Sequence, residues 1–349
     1  MTTTRNGVVF SMTNSSPRNK VIAFRRGING KLTRIGAFAT GGSGTGVEMV
    51  DPLASQGSLI LSRFGRFLFA VNAGSNTISS FRVWANGTLT LIDVKSSGGV
   101  SPNSLAVSGN LLYVSNRGNA THASNITGFR VGCDGHLTRI IGSRRLLSTA
   151  SAQPSCIVFN RTRKWLVVSE LNTNRLTVFR VLKNGTLTGR TVNKSNGAGP
   201  FGSVFLSTGV LLVSEAGPSA LSSYRVGANG KLHVISGSVL NGHTAACWVS
   251  VSRHEHFAYT SNAGDDTITI YRIMNGRLSV VKSVRSTSDV TAAPLDSGVS
   301  KDGRNLYVLN GNKGSISVFR ICLNGRLIRI QVFKNTGLPI VGAQGLAVR

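Results

Sequence analysis

The chain has 349 residues, of which 41% are hydrophobic, enough for one substantial core or two. No apolar run approaches the roughly 18 residues of a membrane-spanning helix, and the first residues lack the apolar segment of a secretory signal, so we expect an intracellular protein. Lysine and arginine total 39 against 12 aspartate and glutamate, a formal charge of +27 that favours anionic partners such as nucleic acid or a membrane surface.

One phrase recurs seven times along the chain: an aromatic residue, an arginine, a short turn ending in glycine, and a second apolar run. Its copies begin at Phe24, Phe81, Phe129, Phe179, Tyr224, Tyr271 and Phe319. A period of about 40–50 residues made of short apolar runs is typical of a β-propeller. The second copy predicts strands at 58–62, 68–72, 78–83 and 89–94, which we call A to D from the channel outward.

The turns between strands C and D share one chemistry. Six of them read Asn-Gly, and the third copy has Asp134 and Gly135 instead. These pairs predict type I′ hairpins, because both central residues of that turn need a positive φ.

Strand B also recurs seven times, which predicts an all-β, seven-bladed propeller with four antiparallel strands in each blade. The chain begins directly at a B strand, Val8–Asn14, while "QGLAV" at 344–348 matches the A-strand phrase "NSLAV" at 103–107. The C-terminal strand should therefore join the N-terminal blade and close the ring without leaving a free sheet edge. Because removing either end would open that ring, we predict a single domain over 1–349.

Several phrases carry a family resemblance, among them "TGGSGTG" at 40–46, "LFAVNAGSNTIS" at 68–79, "YTSNAGDDTI" at 259–268 and "QGLAV" at 344–348. They resemble the lactonase-type seven-bladed propellers, a family related to 6-phosphogluconolactonase and carboxymuconate cyclase. The resemblance implies hydrolysis of a sugar lactone or a related small acid at the mouth of the central channel, with no required cofactor. The chain departs from the family in having lost most Asp-Gly turns, so negative charge has disappeared from one face.

In a propeller, the A–B and C–D turns share one face, here called the turn face, and the B–C and D–A loops share the other, the loop face. The A–B turns are rich in cations, while most carboxylates fall on the loop face. The turn face is therefore a candidate site for nucleic acid or another polyanion, in a non-catalytic alternative to the enzyme. Its candidate contacts are Arg63, Arg66, Arg161, Arg163, Lys164, Arg253 and Arg304.

Opening a lactone requires an activated water and a cation for an acidic substrate. Glu170 and Glu215 each end a B strand where five other blades have Asn, so they are candidate acid/base groups at an open channel mouth. His243 is a candidate proton carrier, and Arg117 a candidate ligand for a substrate carboxylate or phosphate. The alternative is that both glutamates accept backbone hydrogen bonds and fix loops.

The resemblance also implies a divalent metal as an option, since related lactonases use one at the channel. Glu170, Glu215 and Asp296 are candidate oxygen ligands, although no spacing in the sequence joins them. The four cysteines are far apart without a C-x-x-C pair, which argues against a zinc site or a disulfide scaffold.

Overall fold

The computed structural model describes residues 7–349, and in that range the chain forms strands and no helix. Seven antiparallel sheets follow one another as the blades of a ring, six with four strands and one whose outer strand is split in two, which confirms the predicted propeller. Residues 7–349 accordingly contain no helix with the length and hydropathy needed to cross a bilayer.

The strands are given for each blade in the order A to D. Blade 1 has β29 (Gln344–Val348), β1 (Gly7–Met12), β2 (Lys20–Arg26) and β3 (Leu32–Ala39); blade 2 has β4 (Leu59–Leu61), β5 (Phe67–Asn72), β6 (Thr77–Val83) and β7 (Leu89–Ser96); blade 3 has β8 (Pro102–Ser108), β9 (Leu111–Asn116), β10 (Asn125–Val131), β11 (Leu137–Arg139) and β12 (Arg145–Leu146). Blade 4 has β13 (Pro154–Phe159), β14 (Trp165–Glu170), β15 (Arg175–Val181) and β16 (Leu187–Lys194); blade 5 has β17 (Pro200–Phe205), β18 (Val210–Glu215), β19 (Ala220–Val226) and β20 (Leu232–Leu240). Blade 6 has β21 (Ala246–Val251), β22 (Phe257–Asn262), β23 (Thr267–Met274) and β24 (Arg277–Arg285); blade 7 has β25 (Pro294–Val299), β26 (Asn305–Asn310), β27 (Ser315–Ile321) and β28 (Leu327–Phe333).

The C-terminal strand closes the ring as predicted. Strand β29 pairs antiparallel with β1, with Ala347 opposite Phe10, and the Ser11 hydroxyl donates a 2.8 Å hydrogen bond to the Gly345 carbonyl. On the turn face, Arg26 of blade 1 forms a 2.7 Å ion pair with Asp302 of blade 7. The C-terminal strand is therefore held in blade 1 by hydrogen bonds to β1, and the side-chain ion pair joins that blade to blade 7.

Neighbouring blades bury the faces of each other's sheets. Every residue of β5 and of β14 is buried, whereas the outer strands such as β3 and β7 are half-exposed. The pattern explains why the inner strands read as continuous apolar runs and the outer ones do not.

Where strand B contains a tyrosine, its hydroxyl donates a hydrogen bond to the C–D turn of the next blade. The hydroxyl of Tyr113 donates to the Gly185 carbonyl at 2.7 Å, and the hydroxyl of Tyr307 donates to the Gly30 carbonyl at 2.8 Å. Because these bonds run between turn ends of adjacent blades, the A–B and C–D turns lie together on one face.

The outer strand of blade 3 is broken, which the repeat did not predict. Strands β11 and β12 both pair with β10, and the residues between them leave the ladder. The Ser143 hydroxyl takes the place of a ladder partner, because it accepts a 3.1 Å hydrogen bond from the Gly128 N–H.

The predicted type I′ conformation of the C–D turns is wrong for most blades. In residues 7–349, only the sixth blade has a left-handed residue before the turn glycine, Asn275 with a φ of 53°. In the other turns the side-chain oxygen accepts a hydrogen bond from the backbone two residues on, as from Thr88 to Asn86 at 3.0 Å and from His136 to Asp134 at 3.1 Å. The turn therefore needs an acceptor oxygen and does not require the residue before the glycine to adopt a positive φ.

Candidate functional site

The inner strands meet at the axis of the ring and close the channel. Ser55–Gly57, just before β4, crosses the centre: the Ser55 carbonyl accepts a 3.0 Å hydrogen bond from the indole Nε1 of Trp248 in blade 6. The amide of Gln56 donates to the Ser203 carbonyl at 3.1 Å and accepts from the Val249 N–H at 2.8 Å. The side chain of Gln56 and the backbone of Ser55 thus connect blade 2 to blades 5 and 6 across the axis.

Two carboxyl groups lie together at the loop-face end of this closed channel. Asp296, at the start of β25, is 3% exposed and accepts hydrogen bonds from the Gly345 N–H at 3.0 Å and the Gly57 N–H at 3.5 Å. Burial raises the pKa of Asp296 to about 7, against the opposing effect of those two hydrogen bonds. Asp296 therefore titrates close to neutral pH.

Asp51 is the second carboxyl and remains partly exposed. Desolvation is the largest cause that raises its pKa well above the ordinary value, and the charge of Asp296 adds to it, while a hydrogen bond from the Ser55 N–H and the Arg117 charge act in the opposite direction. Asp51 also has a φ of 53°, a left-handed conformation that is uncommon for a residue other than glycine. Interacting carboxyls with raised pKa values beside a cation are typical of a functional site.

A cation and a buried amide complete this group. Arg117, on the loop after β9, donates a 3.3 Å hydrogen bond to the Pro52 carbonyl and so lies beside Asp51. Gln344 is fully buried, and its amide lowers the pKa of the Asp51 carboxyl, yet neither Oε1 nor Nε2 makes a hydrogen bond of ordinary geometry within the described part of the chain. We call Asp51, Arg117, Asp296 and Gln344 the carboxyl site.

Glu170 and Glu215 do not line the mouth, contrary to the expectation from the sequence. Both are 0% exposed. Glu170 accepts hydrogen bonds from the backbone N–H and hydroxyl of Ser148 and from the hydroxyls of Thr173 and Thr177. Glu215 accepts from the Gly197 N–H and from the hydroxyls of Ser222, Tyr224 and Ser238. Their partners do not overlap, and no arginine or histidine is among them.

These glutamates occupy the position that asparagine takes in other blades. Asn72 donates to Ser79 at 2.7 Å, and Asn310 donates to Ser317 at 3.0 Å, each seven residues later on strand C. Glu170 meets Thr177 and Glu215 meets Ser222 at the same spacing. The structure therefore supports the alternative considered from the sequence, in which both side chains bridge strands and loops.

His243 is paired elsewhere on the loop face. Its Nδ1 lies 2.7 Å from an oxygen of Asp265, and its backbone N–H donates to Asn241 at 2.9 Å. Its proton-carrying role stays a prediction, without contact to Glu170 or Glu215.

The metal and polyanion candidates are distributed differently. In residues 7–349 no three histidine, cysteine, aspartate or glutamate side chains form a group that would hold a metal ion, so Glu170, Glu215 and Asp296 are not one ligand set. The polyanion candidates all lie exposed on A–B turns of the turn face, and their binding role stays a prediction: Arg63, Arg66, Arg161, Arg163, Lys164, Arg253 and Arg304.

Sequence reasoning missed Asp51 and Gln344. Gln344 begins strand A of blade 1, but nothing in its local pattern marks it. Asp51 had one detectable signal, since it is a rare carboxylate in a chain with few of them. Arg117 and Asp296 were both predicted, but for separate roles.

The comparisons with known proteins agree with this fold. A family model described as the seven-bladed β-propeller lactonase matches residues 18–140, 104–205 and 148–336. The chain belongs to the seven-bladed β-propeller lactonase family. No curated protein sequence matches this lactonase-family chain significantly.

Solved structures resemble this family member over nearly the whole chain. A candidate 6-phosphogluconolactonase from Bacteroides fragilis gives a TM-score of 0.73 at 20% identity, covering 100% of this chain and 99% of its own. A protein from Lactobacillus plantarum gives 0.78 at 17%, covering 99% of each chain. A periplasmic gluconolactonase from Pseudomonas aeruginosa gives 0.73 at 16%, covering 98% of each. At these identities the likeness establishes the fold.

Proposed function

We propose that this chain hydrolyses a small acidic lactone, such as a phosphorylated sugar lactone, at the carboxyl site on the loop face. The observation that carries the proposal is the pair of Asp51 and Asp296 with raised pKa values beside the cation of Arg117. Membership of the lactonase family and the gluconolactonase name of one structural neighbour support the reaction class.

The pair supplies a base that works near neutral pH. Two neighbouring carboxyls resist ionising together, and burial raises the pKa of both Asp51 and Asp296. Asp51 is the partly exposed member and accepts a proton from water as the water oxygen attacks the lactone carbonyl carbon. The bond from that carbon to the ring oxygen then breaks, and the proton passes to the ring oxygen.

Arg117 gives the site its preference for an acidic substrate. A guanidinium binds phosphate or carboxylate oxygens through charge-assisted hydrogen bonds. The formal charge of +27 adds a long-range attraction for anions. A phosphorylated lactone is therefore expected to be a better substrate than its neutral counterpart.

The test compares ring opening of 6-phosphogluconolactone and of glucono-1,5-lactone above the spontaneous rate. Asp51→Asn should lower kcat about 100-fold or more, the usual contribution of a general base. Arg117→Gln should raise KM for the phosphorylated lactone and leave the neutral one little changed. Asp289→Asn is the matched control, since Asp289 is an exposed loop-face carboxylate paired with Lys313.

Two results would contradict the proposal. One is a wild-type rate no higher than the spontaneous rate with both lactones. The other is full activity in a folded Asp51→Asn variant, which would move the chemistry away from the carboxyl site.

A further inference from the structure

The turn face carries a ring of arginines set by strand register. In each strand C, an arginine follows the aromatic residue. It stands opposite the first or second residue of strand B in the same blade, as Arg130 stands opposite Leu111 and Arg272 opposite Phe257. This register places all seven at the turn end of the blade. Six of them are exposed: Arg25, Arg130, Arg180, Arg225, Arg272 and Arg320.

Three carboxylates in the A–B and C–D turns oppose this charge, Asp134, Glu255 and Asp302, and each is engaged in hydrogen bonds. Asp302 forms its ion pair with Arg26 at 2.7 Å. Glu255 accepts hydrogen bonds from the backbone and hydroxyl of Ser207, at 2.8 Å and 2.6 Å. The turn face is therefore a broad positive surface.

Large apolar side chains project from the same face between these cations. Ile28 is 75% exposed, Met274 is 64% exposed, Leu323 is fully exposed, and Trp84 is about half exposed. Each lies in or beside a C–D turn, and together they occupy blades 6, 7, 1 and 2, which are consecutive around the ring. Phe64, on the A–B turn of blade 2, is also exposed and has the Arg63 guanidinium 5.4 Å from its ring centre.

The combination of exposed apolar side chains, here called the apolar tips, with cations favours one kind of anionic partner. A nucleic acid uses cations for its phosphates and planar rings for stacking, and it gains little from exposed aliphatic tips. An anionic bilayer uses both, because apolar side chains enter the boundary between headgroups and acyl chains while lysine and arginine contact the headgroups. Ile28, Met274 and Leu323 are aliphatic or thioether side chains and so favour the bilayer.

We propose that the turn face docks on an anionic lipid bilayer. The apolar tips of blades 6, 7, 1 and 2 insert at headgroup depth, and the arginine ring binds anionic headgroups. The carboxyl site lies on the opposite face and remains open to solvent in the docked protein. The proposal does not depend on lactone hydrolysis.

One tryptophan reports on the contact directly. Trp165 and Trp248 are buried at 7% and 1% exposure, so Trp84 is the tryptophan whose surroundings change on docking. Vesicles of phosphatidylcholine mixed with phosphatidylserine should shift its emission to the blue, and brominated lipids in those vesicles should quench it. Vesicles of phosphatidylcholine alone should do neither, and Trp84→Phe should remove the signal.

A matched pair of double variants separates insertion from charge. Ile28→Ser with Leu323→Ser removes two exposed tips, and Val290→Ser with Ile340→Ser removes two exposed apolar side chains from the loop face. Co-sedimentation with the phosphatidylserine vesicles should weaken about tenfold or more for the first pair and stay unchanged for the second. The weak binding that remains should fall further as salt is added.

Three outcomes would overturn the proposal. The first is equal binding to neutral and anionic vesicles. The second is an equal effect of the two double variants. The third is tight binding of single-stranded DNA, if the DNA displaces the vesicles and its binding is unchanged in the Ile28→Ser, Leu323→Ser variant. That result would identify the turn face as a nucleic-acid surface.

Discussion

The indole Nε1 of Trp248 donates a 3.0 Å hydrogen bond to the carbonyl oxygen of Ser55, from one side of the ring to the other. Both residues are buried, and the Trp248 ring also packs edge-on against Phe201 with their centres 5.0 Å apart. The bond links blades 2 and 6 across the axis and holds the segment that carries Asp51 and Gly57 toward Asp296.

Trp248→Phe should therefore be costly. It leaves the Ser55 carbonyl without its donor and opens a cavity, for a loss of about 2–4 kcal/mol in the free energy of unfolding. Trp84→Phe, on an exposed turn, should cost less than about 1 kcal/mol. Urea unfolding of both variants measures the difference, and similar losses would mean that the bond across the axis contributes little.

Asp296 should make stability depend on pH. Its pKa is raised to about 7 in the folded state, above the ordinary value of 3.8, so the folded protein binds more protons between those values. The free energy of unfolding should thus fall as pH rises from about 4 to 7, by up to about 4 kcal/mol from this group. Asp296→Asn removes the penalty, so it should be more stable than wild type at pH 8 and equal to it near pH 4. Thermal unfolding across this range tests the sign, and an Asn variant less stable at pH 8 would refute it.

The sequence predicted the blades well because the pattern that defines them is local. The alternation of strand and turn around Phe81 or Tyr271 is complete within about fifty residues and repeats seven times. The carboxyl site has no such local pattern. Its residues come from three different blades or connections and meet only when the ring closes: Asp51, Arg117 and Asp296. Residue type alone could therefore suggest Arg117 and Asp296 as functional residues, but it could not show that they belong to one site.

Glu170 and Glu215 show what residue type and position leave out. Glu170 and Glu215 were chosen because carboxylates are rare in this chain and both end a B strand. Rarity was a sound signal of constraint, but the sequence does not show that the hydroxyls of Thr177 and Ser222 lie beside them on strand C. Their burial depends on the preceding D–A loop, which places Ser148 against Glu170 and Gly197 against Glu215.

Glu215 offers a direct test of that bridging role. Glu215→Ala leaves the Gly197 N–H and the Ser238 hydroxyl unpaired and should cost about 2–4 kcal/mol of unfolding free energy. Glu215→Gln keeps an oxygen for the Gly197 N–H and should cost about 1 kcal/mol or less. Chemical denaturation distinguishes the two. A stable Glu215→Gln protein that has lost lactonase activity would instead restore the acid/base role predicted from the sequence.

The C–D turns should tolerate charge but not the loss of an acceptor. Asn86 Oδ1 accepts from the Thr88 N–H at 3.0 Å and from the Thr88 hydroxyl at 2.7 Å. Asn86→Ala should lower the free energy of unfolding by about 1 kcal/mol. Asn86→Asp should retain wild-type stability or exceed it slightly at low salt, because it also relieves repulsion in a chain of formal charge +27. Thermal unfolding at low and high salt checks both, and equal losses for the two variants would contradict the acceptor role.

Because of this turn chemistry, the charge of the turn face can change independently of the propeller fold. An amide and a carboxylate oxygen satisfy the same backbone donor, as Asn86 and Asp134 do in neighbouring blades. A single substitution at such a turn can therefore add or remove a charge while the strands on either side keep their places. A propeller built this way can exchange one class of surface partner for another without refolding its interior.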